Sequence, residues 1–364
     1  MVLSEEQKIL LWLSSAEIPA NRVWAMIREF GSPQAIWERF STPQCPKFQH
    51  RSKKILESLY SKEKLEELIH QLEIKHVHLL FFEDEAYPDL LREIQDPPYL
   101  LYYAGKLDCL KNPCVAVVGT RTPSDYGRHM ASSIAKGLCK AGVTVVSGLA
   151  RGIDYAAHEG ALEAEGCTVG ILGSGINNPY PSEHTPLLRK IASGKGLIIS
   201  EYPLDSVPIA FHFPHRNRII AGLSVGTVFV EGRIKSGGMH TVTAALDQGR
   251  EVFAVPGQTG YLGAEGPLVI MREGARLVTG AEDILEDLSL IPLMPTKRRP
   301  KKEPPLPLEQ RLILRALRIQ PMNIDELAKA TKMTTDDLLT ETGIMEINGL
   351  IRREAGNTYA LAKQ

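Results

Sequence analysis

What the chain has little of narrows its class first. Its 364 residues carry 42 Lys plus Arg against 43 Asp plus Glu, a formal charge of −1. Without a net positive charge, a polycation that binds nucleic acid anywhere on its surface is excluded. No apolar run reaches the ~18 residues that a membrane span needs. The opening MVLSEEQKILLWLSS has acids where a secretory signal carries its positive region, so a cytoplasmic protein without membrane attachment is expected. Cys45, Cys109, Cys114, Cys139 and Cys167 are odd in number and form no CxxC pair, which argues against a disulfide framework or a zinc knuckle. Glycine is scarce outside one region, since 25 of the 30 lie between Gly119 and Gly280. That region alone is built around backbone turns.

What is present divides the chain. Residues 1–75 read as a small helical domain, with Ile9, Leu10, Leu13 and then Val23, Ile27, Phe30 at helical spacing. Between 76 and 290, short apolar runs recur at 115–119, 143–148, 167–173, 196–201, 225–232, 251–257 and 275–278, separated by helical patterns. Continuous apolar strands alternating with helices predict a doubly wound, mostly parallel Rossmann-like α/β sheet covered on both faces. Residues 291–308 hold six prolines and the cluster Lys297, Arg298, Arg299, Lys301, Lys302, a composition expected of a flexible linker. From 309 to 364, Asn323 and Thr334 or Thr335 are helix caps, and LIRREAGNTYAL is a hairpin turning at Gly356-Asn357. A winged helix follows. Its candidate recognition helix, about Thr335 to Asn348, bears Asp336, Asp337, Glu341 and Glu346 and no Lys or Arg, which favours a protein-contact or structural role over DNA contact.

In such a sheet, ligands bind outside the carboxyl ends of the strands. Those ends carry Gly119-Thr120-Arg121, Ser147-Gly148, Gly173-Ser174-Gly175, Ser200-Glu201-Tyr202, Glu231-Gly232 and Pro256-Gly257. Glycines there let backbone N–H groups approach an anion. GTRTPSDYG is not GxGxxG, and Lys195 lacks the upstream glycine of a P-loop, so neither a dinucleotide nor ATP is expected and no cofactor is assigned. His212 and His215 have no neighbouring Cys or carboxylate in sequence, so no metal is expected either. Arg121 and the Arg216-Asn217-Arg218 triplet suit phosphate recognition, and Phe211, Phe213, Tyr180 and Tyr202 are candidate base-stacking rings. Asp154 is expected to fix a helix N-terminus. Glu231, at a strand end before Ser236-Gly237-Gly238, is the candidate general acid or base.

At these residues the sequence resembles the DNA-processing protein A family, also called Smf. The matching stretches run in order: YPDLL and PPYLLYYAGKL (87–107), VAVVGTRTPSDYG (115–127), VVSGLARGIDYAAHEGAL (145–162), ILGSGINNPYP (171–181), SEYP (200–203), FPHRNRIIAGLS (213–224), SGG (236–238) and GREVFAVPG (249–257). The resemblance implies a non-enzymatic, homodimeric bacterial protein. It would bind single-stranded DNA, protect incoming DNA and help load RecA recombinase during natural transformation. It assigns DNA contacts to Gly119, Thr120, Arg121, Arg216, Asn217, Arg218, Ser236, Gly237, Gly238 and Thr241, to which the strand-end residues Ser147, Gly148 and Gly175 are added. Three departures stand out. Ser182-Glu183-His184 follow the YP where the family carries a Lys, Val242 stands where Ala is usual, and Leu268 replaces an Asn of the last glycine-rich loop. Glu17-Ile18-Pro19 also occupies the place of a helix-hairpin-helix glycine turn, so DNA contact by a SAM-like or helix-hairpin-helix-like N-terminal domain is not expected. The alternative is a phosphoribohydrolase acting on nucleoside monophosphates through Glu231, whose glycine-and-acid signature is echoed here in a different order.

Overall fold

The computed structural model describes residues 2–290, 307–317, 320–354 and 358–361. Nearly all of the expected linker, and the expected turn at Gly356-Asn357, lie outside the described residues. The chain forms two compact units, 1–294 and 295–364. The first begins with helices α1 (Glu5–Ser15), α2 (Ala20–Phe30), α3 (Pro33–Phe40), α4 (His50–Ser58) and α5 (Lys62–Ile74). Ser4, Ser32 and Ser61 start α1, α3 and α5 by accepting a hydrogen bond from the N3 amide, each cap contributing about 1 kcal/mol.

A nine-stranded sheet follows: β1 (His78–Phe81), β2 (Leu100–Gly105), β3 (Cys114–Val118), β4 (Thr144–Ser147), β5 (Thr168–Leu172), β6 (Leu197–Ser200), β7 (Gly226–Phe229), β8 (Glu251–Ala254) and β9 (Arg276–Leu277). The spatial order is β1-β2-β6-β5-β4-β3-β7-β8-β9. All neighbours from β6 to β9 are parallel, and β1 and β2 run antiparallel at one edge. Helices α6 (Asp89–Arg92), α7 (Asp125–Lys140), α8 (Ile153–Glu163), α9 (Thr185–Ser193), α10 (His212–Gly222), α11 (Gly237–Asp247), α12 (Glu265–Arg272) and α13 (Ala281–Asp287) cover it.

Alternation along β3 shows the two faces. Ala116 and Val118 join a core with residues of α6, α10, α11 and α12, whereas Val115 and Val117 join one with α7, α8 and α13. Among the described residues no helix is long and apolar enough to cross a membrane. The five cysteines are free thiols.

Strands β1 and β2 were not among the expected ones. Leu80 and Leu101 enter the sheet core, while Leu79, Phe81, Leu100 and Tyr102 enter a core made with α1–α5. With both faces covered, the pair shows no polar alternation to read. At the centre of the shared core, Trp12 donates Nε1–H to the Leu56 carbonyl at 3.0 Å and meets Trp37 and Phe40 edge-on at 4.9 and 4.8 Å. Ser14 Oγ and the Tyr102 hydroxyl are hydrogen-bonded at 2.9 Å. The expected division at residue 75 thus falls within the first compact unit.

The second unit comprises α14 (Leu308–Leu317), β10 (Met322–Asn323), α15 (Ile324–Thr331), α16 (Thr335–Ile347), β11 (Ile351–Glu354) and β12 (Thr358–Leu361), with strand order β10-β12-β11. Asn323 and Thr334 cap α15 and α16. Substituting Trp12 by Ala should lower stability by about 3–5 kcal/mol through the cavity it leaves, measured as a shift of the urea unfolding midpoint.

Candidate nucleic-acid interface

The strand order reverses between β3 and β7, because β4, β5 and β6 lie on one side of β3 and β8 and β9 beyond β7. Loops leaving the carboxyl ends at such a point diverge and leave a crevice. Here the loop after β3 is Gly119-Thr120-Arg121, and the loop after β7 leads to Ser236-Gly237-Gly238 at the start of α11. A Cβ on Gly119 would lie 2.6 Å from the Glu231 carbonyl oxygen, and one on Gly238 3.1 Å from Gly119 Cα. Glycine at both positions is what allows the two loops to touch. Thr120 N–H donates to the Glu231 carbonyl at 2.6 Å and fixes the turn.

The crevice is a cleft of about 640 Å³. A Cβ on Gly237 would meet no atom within 4 Å, so the amino end of α11 opens into the cleft with the N–H groups of Gly237 and Gly238 left to donate, while Met239 N–H bonds back to the Ser236 carbonyl at 3.1 Å. Ser236 Oγ is buried and has no hydrogen-bond partner among the described residues. Asn217 orients the helix start by donating to the Gly237 carbonyl at 3.3 Å. Tyr180 and Phe213, with ring centroids 5.5 Å apart, form an aromatic wall.

Two guanidiniums lie here in opposite circumstances. Arg216 is 4% exposed and donates Nη1 to the Gly148 carbonyl at 2.9 Å and also to Ile171. Burial lowers its pKa to about 10, and the Asp154 carboxylate opposes that fall. Asp154 stands in the first turn of α8 and has the expected structural part at that helix start, although the N-cap itself is Gly152. Its Oδ2 accepts from the amides of Gly148 and Ala150 at 3.1 and 3.3 Å, tying down the loop before α8. Arg121 by contrast is exposed, and its guanidinium has no hydrogen bond or ion pair among the described residues.

Glu231 is 4% exposed and faces away from this cleft, toward a second cavity bordered by Tyr126 and Tyr261. Its carboxylate accepts from Ser124 N–H at 3.1 Å, from Ser124 Oγ at 2.9 Å and from the Tyr261 hydroxyl. That hydroxyl's pKa is raised chiefly by this bond. Gly127 and Gly263 flank the carboxylate so closely that a Cβ on either would collide with it. Ser124 is the N-cap of α7, the first helix after a central strand. A dinucleotide phosphate sits at that position in a nucleotide-binding Rossmann sheet, and here the protein's own carboxylate fills it. All of these hydrogen bonds also hold Glu231 as a fixed acceptor, an unfavourable arrangement for a proton-transferring base.

Of the residues expected from sequence, Gly119, Thr120, Arg121, Arg216, Asn217, Ser236, Gly237, Gly238 and Thr241 line the cleft. Four lie elsewhere. Ser147 is buried and donates its hydroxyl to the Val117 carbonyl at 2.7 Å. Gly148 lies against the Arg216 guanidinium, at the edge of a smaller adjoining cleft. Gly175 packs on the carbonyls of Pro203 and Leu204. Arg218, two residues beyond Arg216 on α10, points the other way, since a helix turns ~200° in two residues. It pairs with Glu201 Oε1 at 2.6 Å and Asp96 Oδ2 at 3.5 Å. Burial pulls its pKa down, but these two carboxylates prevail and raise it. The same carboxylates stand 3.6 Å from His215, so carboxylates absent from the local sequence do reach this histidine, which shares them with the single positive charge of Arg218. Among the rings, Tyr202 is buried and stacked on His212 at 3.9 Å, whereas Phe211 is 74% exposed. The pairings of Asp96, Glu201, Ser124 and Tyr261 carried no sequence signal, because the partners lie from 17 to more than 100 residues away.

Residues 78–289 match the family model described as DNA recombination-mediator protein A. The chain belongs to this family. A second model, the DprA winged helix domain, matches residues 297–357. Among curated relatives, Protein Smf of Escherichia coli is 42% identical over 229 residues, 63% of this chain and 61% of that protein. Protein Smf of Synechocystis is 36% identical over 320 residues, 78% of this chain and 80% of that protein. The DNA processing protein DprA of Bacillus subtilis is 40% identical over 213 residues, 58% and 71%. In structure, DNA processing protein A of Streptococcus pneumoniae aligns with a TM-score of 0.62 at 32% identity, over 79% of this chain and 99% of that one. The Helicobacter pylori protein, a structure described in terms of its single-stranded DNA binding mode, aligns at 0.53 with 29% identity, over 58% and 95%.

Two stability outcomes test the geometry. Arg218→Ala should cost about 3–5 kcal/mol in urea unfolding, since it strands two largely buried carboxylates. Gly127→Ala, by forcing the Glu231 carboxylate out of its cage, should cost about 1–3 kcal/mol in the same assay.

Proposed function

We propose that this chain binds single-stranded DNA in the cleft between β3 and β7 and acts as a recombination mediator rather than an enzyme. The observation that carries the reading is Arg121, an exposed, unpaired guanidinium set beside the open amino end of α11. A phosphodiester placed there would take the guanidinium fork on one side and backbone N–H donors on the other. Arg216 adds a fixed positive charge beneath the floor, and Tyr180 and Phe213 offer ring faces to unstacked bases. The single-stranded DNA binding of the Helicobacter pylori relative supports the same reading. The hydrogen bonds that immobilise Glu231 weigh against the phosphoribohydrolase alternative.

As the finer part of this reading, the chain works in the cytoplasm as a homodimer, protects incoming DNA and helps load RecA recombinase during natural transformation. The acidic α16 is assigned to a protein contact, because phosphates would be repelled from it.

Arg121→Ala should weaken retention of a labelled oligothymidylate in a gel shift by about tenfold or more, the scale of one lost charge-assisted contact. The slope of log affinity against log salt should become shallower by about 0.7, one phosphate's share on a single strand. Undiminished retention would overturn the reading of the cleft.

A further inference from the structure

Beside the cleft, a smaller one is lined by Arg121, Arg151, Tyr180, Pro181 and Phe213 among others. Its two arginines lie on backbone segments in direct contact. Gly152, with φ +81°, packs so tightly that a Cβ there would strike the Thr120 carbonyl oxygen and lie 2.8 Å from the carbonyl carbon of Arg121. Ile153 N–H donates to that Thr120 carbonyl at 3.1 Å. The start of α8 therefore carries Arg151 to the Arg121 turn.

Unlike Arg121, Arg151 is engaged. Glu183 grips it with both oxygens, Nε to Oε1 at 2.5 Å and Nη2 to Oε2 at 2.8 Å. The loop bearing Glu183 is fastened to the loop before Arg151 by a second bond, between His184 Nδ1 and the Leu149 carbonyl at 2.9 Å. Both side chains of the ion pair are about half exposed, at 51% and 53%. A fork-to-fork pair of this kind has the geometry an arginine would offer to a phosphate, yet in water it is held by little net free energy. A phosphodiester arriving at Arg121 can therefore compete with Glu183 for the neighbouring guanidinium.

We propose that Arg151 is a second phosphate-binding cation next to Arg121, and that Glu183 acts as an internal substitute for the phosphate which sets the affinity of the site. The proposal rests on the single-stranded DNA reading of the cleft. It assigns Glu183 a definite effect, namely to lower affinity and to hide one phosphate contact from the salt dependence.

The test compares the full-length native chain with Glu183→Gln, Arg151→Ala/Glu183→Gln and Arg121→Ala, using fluorescence anisotropy of a labelled oligothymidylate over a salt series. Glu183→Gln should bind about three- to tenfold tighter at low salt, the range expected on releasing an exposed charged pair. Its log–log salt slope should steepen by about 0.7. In the double variant both gains should vanish. Equal affinity and slope for Glu183→Gln and the native chain would overturn the proposal. So would a gain that persists in the double variant, since it would then come from removing a repulsive carboxylate alone. Failure of the parent reading shows separately, as undiminished binding by Arg121→Ala. Because the pair is exposed, unchanged melting by circular dichroism should accompany each variant.

Discussion

The candidate site depends on where one buried carboxylate is kept. Glu231 leaves the carboxyl end of β7 and lies at the amino end of α7, where Ser124 and Tyr261 satisfy it. Through its backbone carbonyl the same residue holds the Thr120 amide. One residue thereby fixes the turn after β3, the start of α7 and the loop bearing Tyr261. The glycines at 127 and 263 follow from that carboxylate's volume, because any side chain there would occupy its space. With the helix-terminal anion position of a nucleotide-binding sheet filled from within, the open donors move one strand across, to α11.

The charges around the sheet edge follow a related pattern. Arg218 is matched by Glu201 and Asp96, Arg151 by Glu183, and Arg216 lies near Asp154. This is how a chain of formal charge −1 can still present a local positive site. Each internal pairing weakens a cation's pull on an external anion, and Arg121 keeps its charge for solvent. Electrostatic selectivity here comes from subtraction as much as from accumulation.

Much of this was readable in the residues. Unbroken apolar runs such as VAVV and GLIIS announced parallel strands buried on both faces, and Asn323 and Thr334 announced two helix starts. The glycines of the GTR and SGG turns mark the end of the sheet at which the cleft lies. The Arg-Asn-Arg triplet was only half readable. Once α10 is recognised as a helix, residues 216 and 218 must face apart, but only the fold tells which of them meets the cleft. Ser147, Gly148 and Gly175 stand at strand ends, yet hydrogen bonding and close packing keep all three out of the main cleft. Pairings such as Glu231 with Tyr261, or Arg218 with Asp96, have no local period, because they arise when distant loops converge.

The core that α1–α5 share with β1 and β2 bears on how the chain can be shortened. Leu79, Phe81, Leu100 and Tyr102 are buried only because those helices lie on them. A fragment beginning near residue 76 would carry this oily, aromatic face uncovered, and next to it β1, the last strand of the sheet on that side. Bare strand borders with exposed apolar surface recruit further strands from other molecules. The N-terminal helices thus serve as a hydrophobic lid on one flank of the sheet.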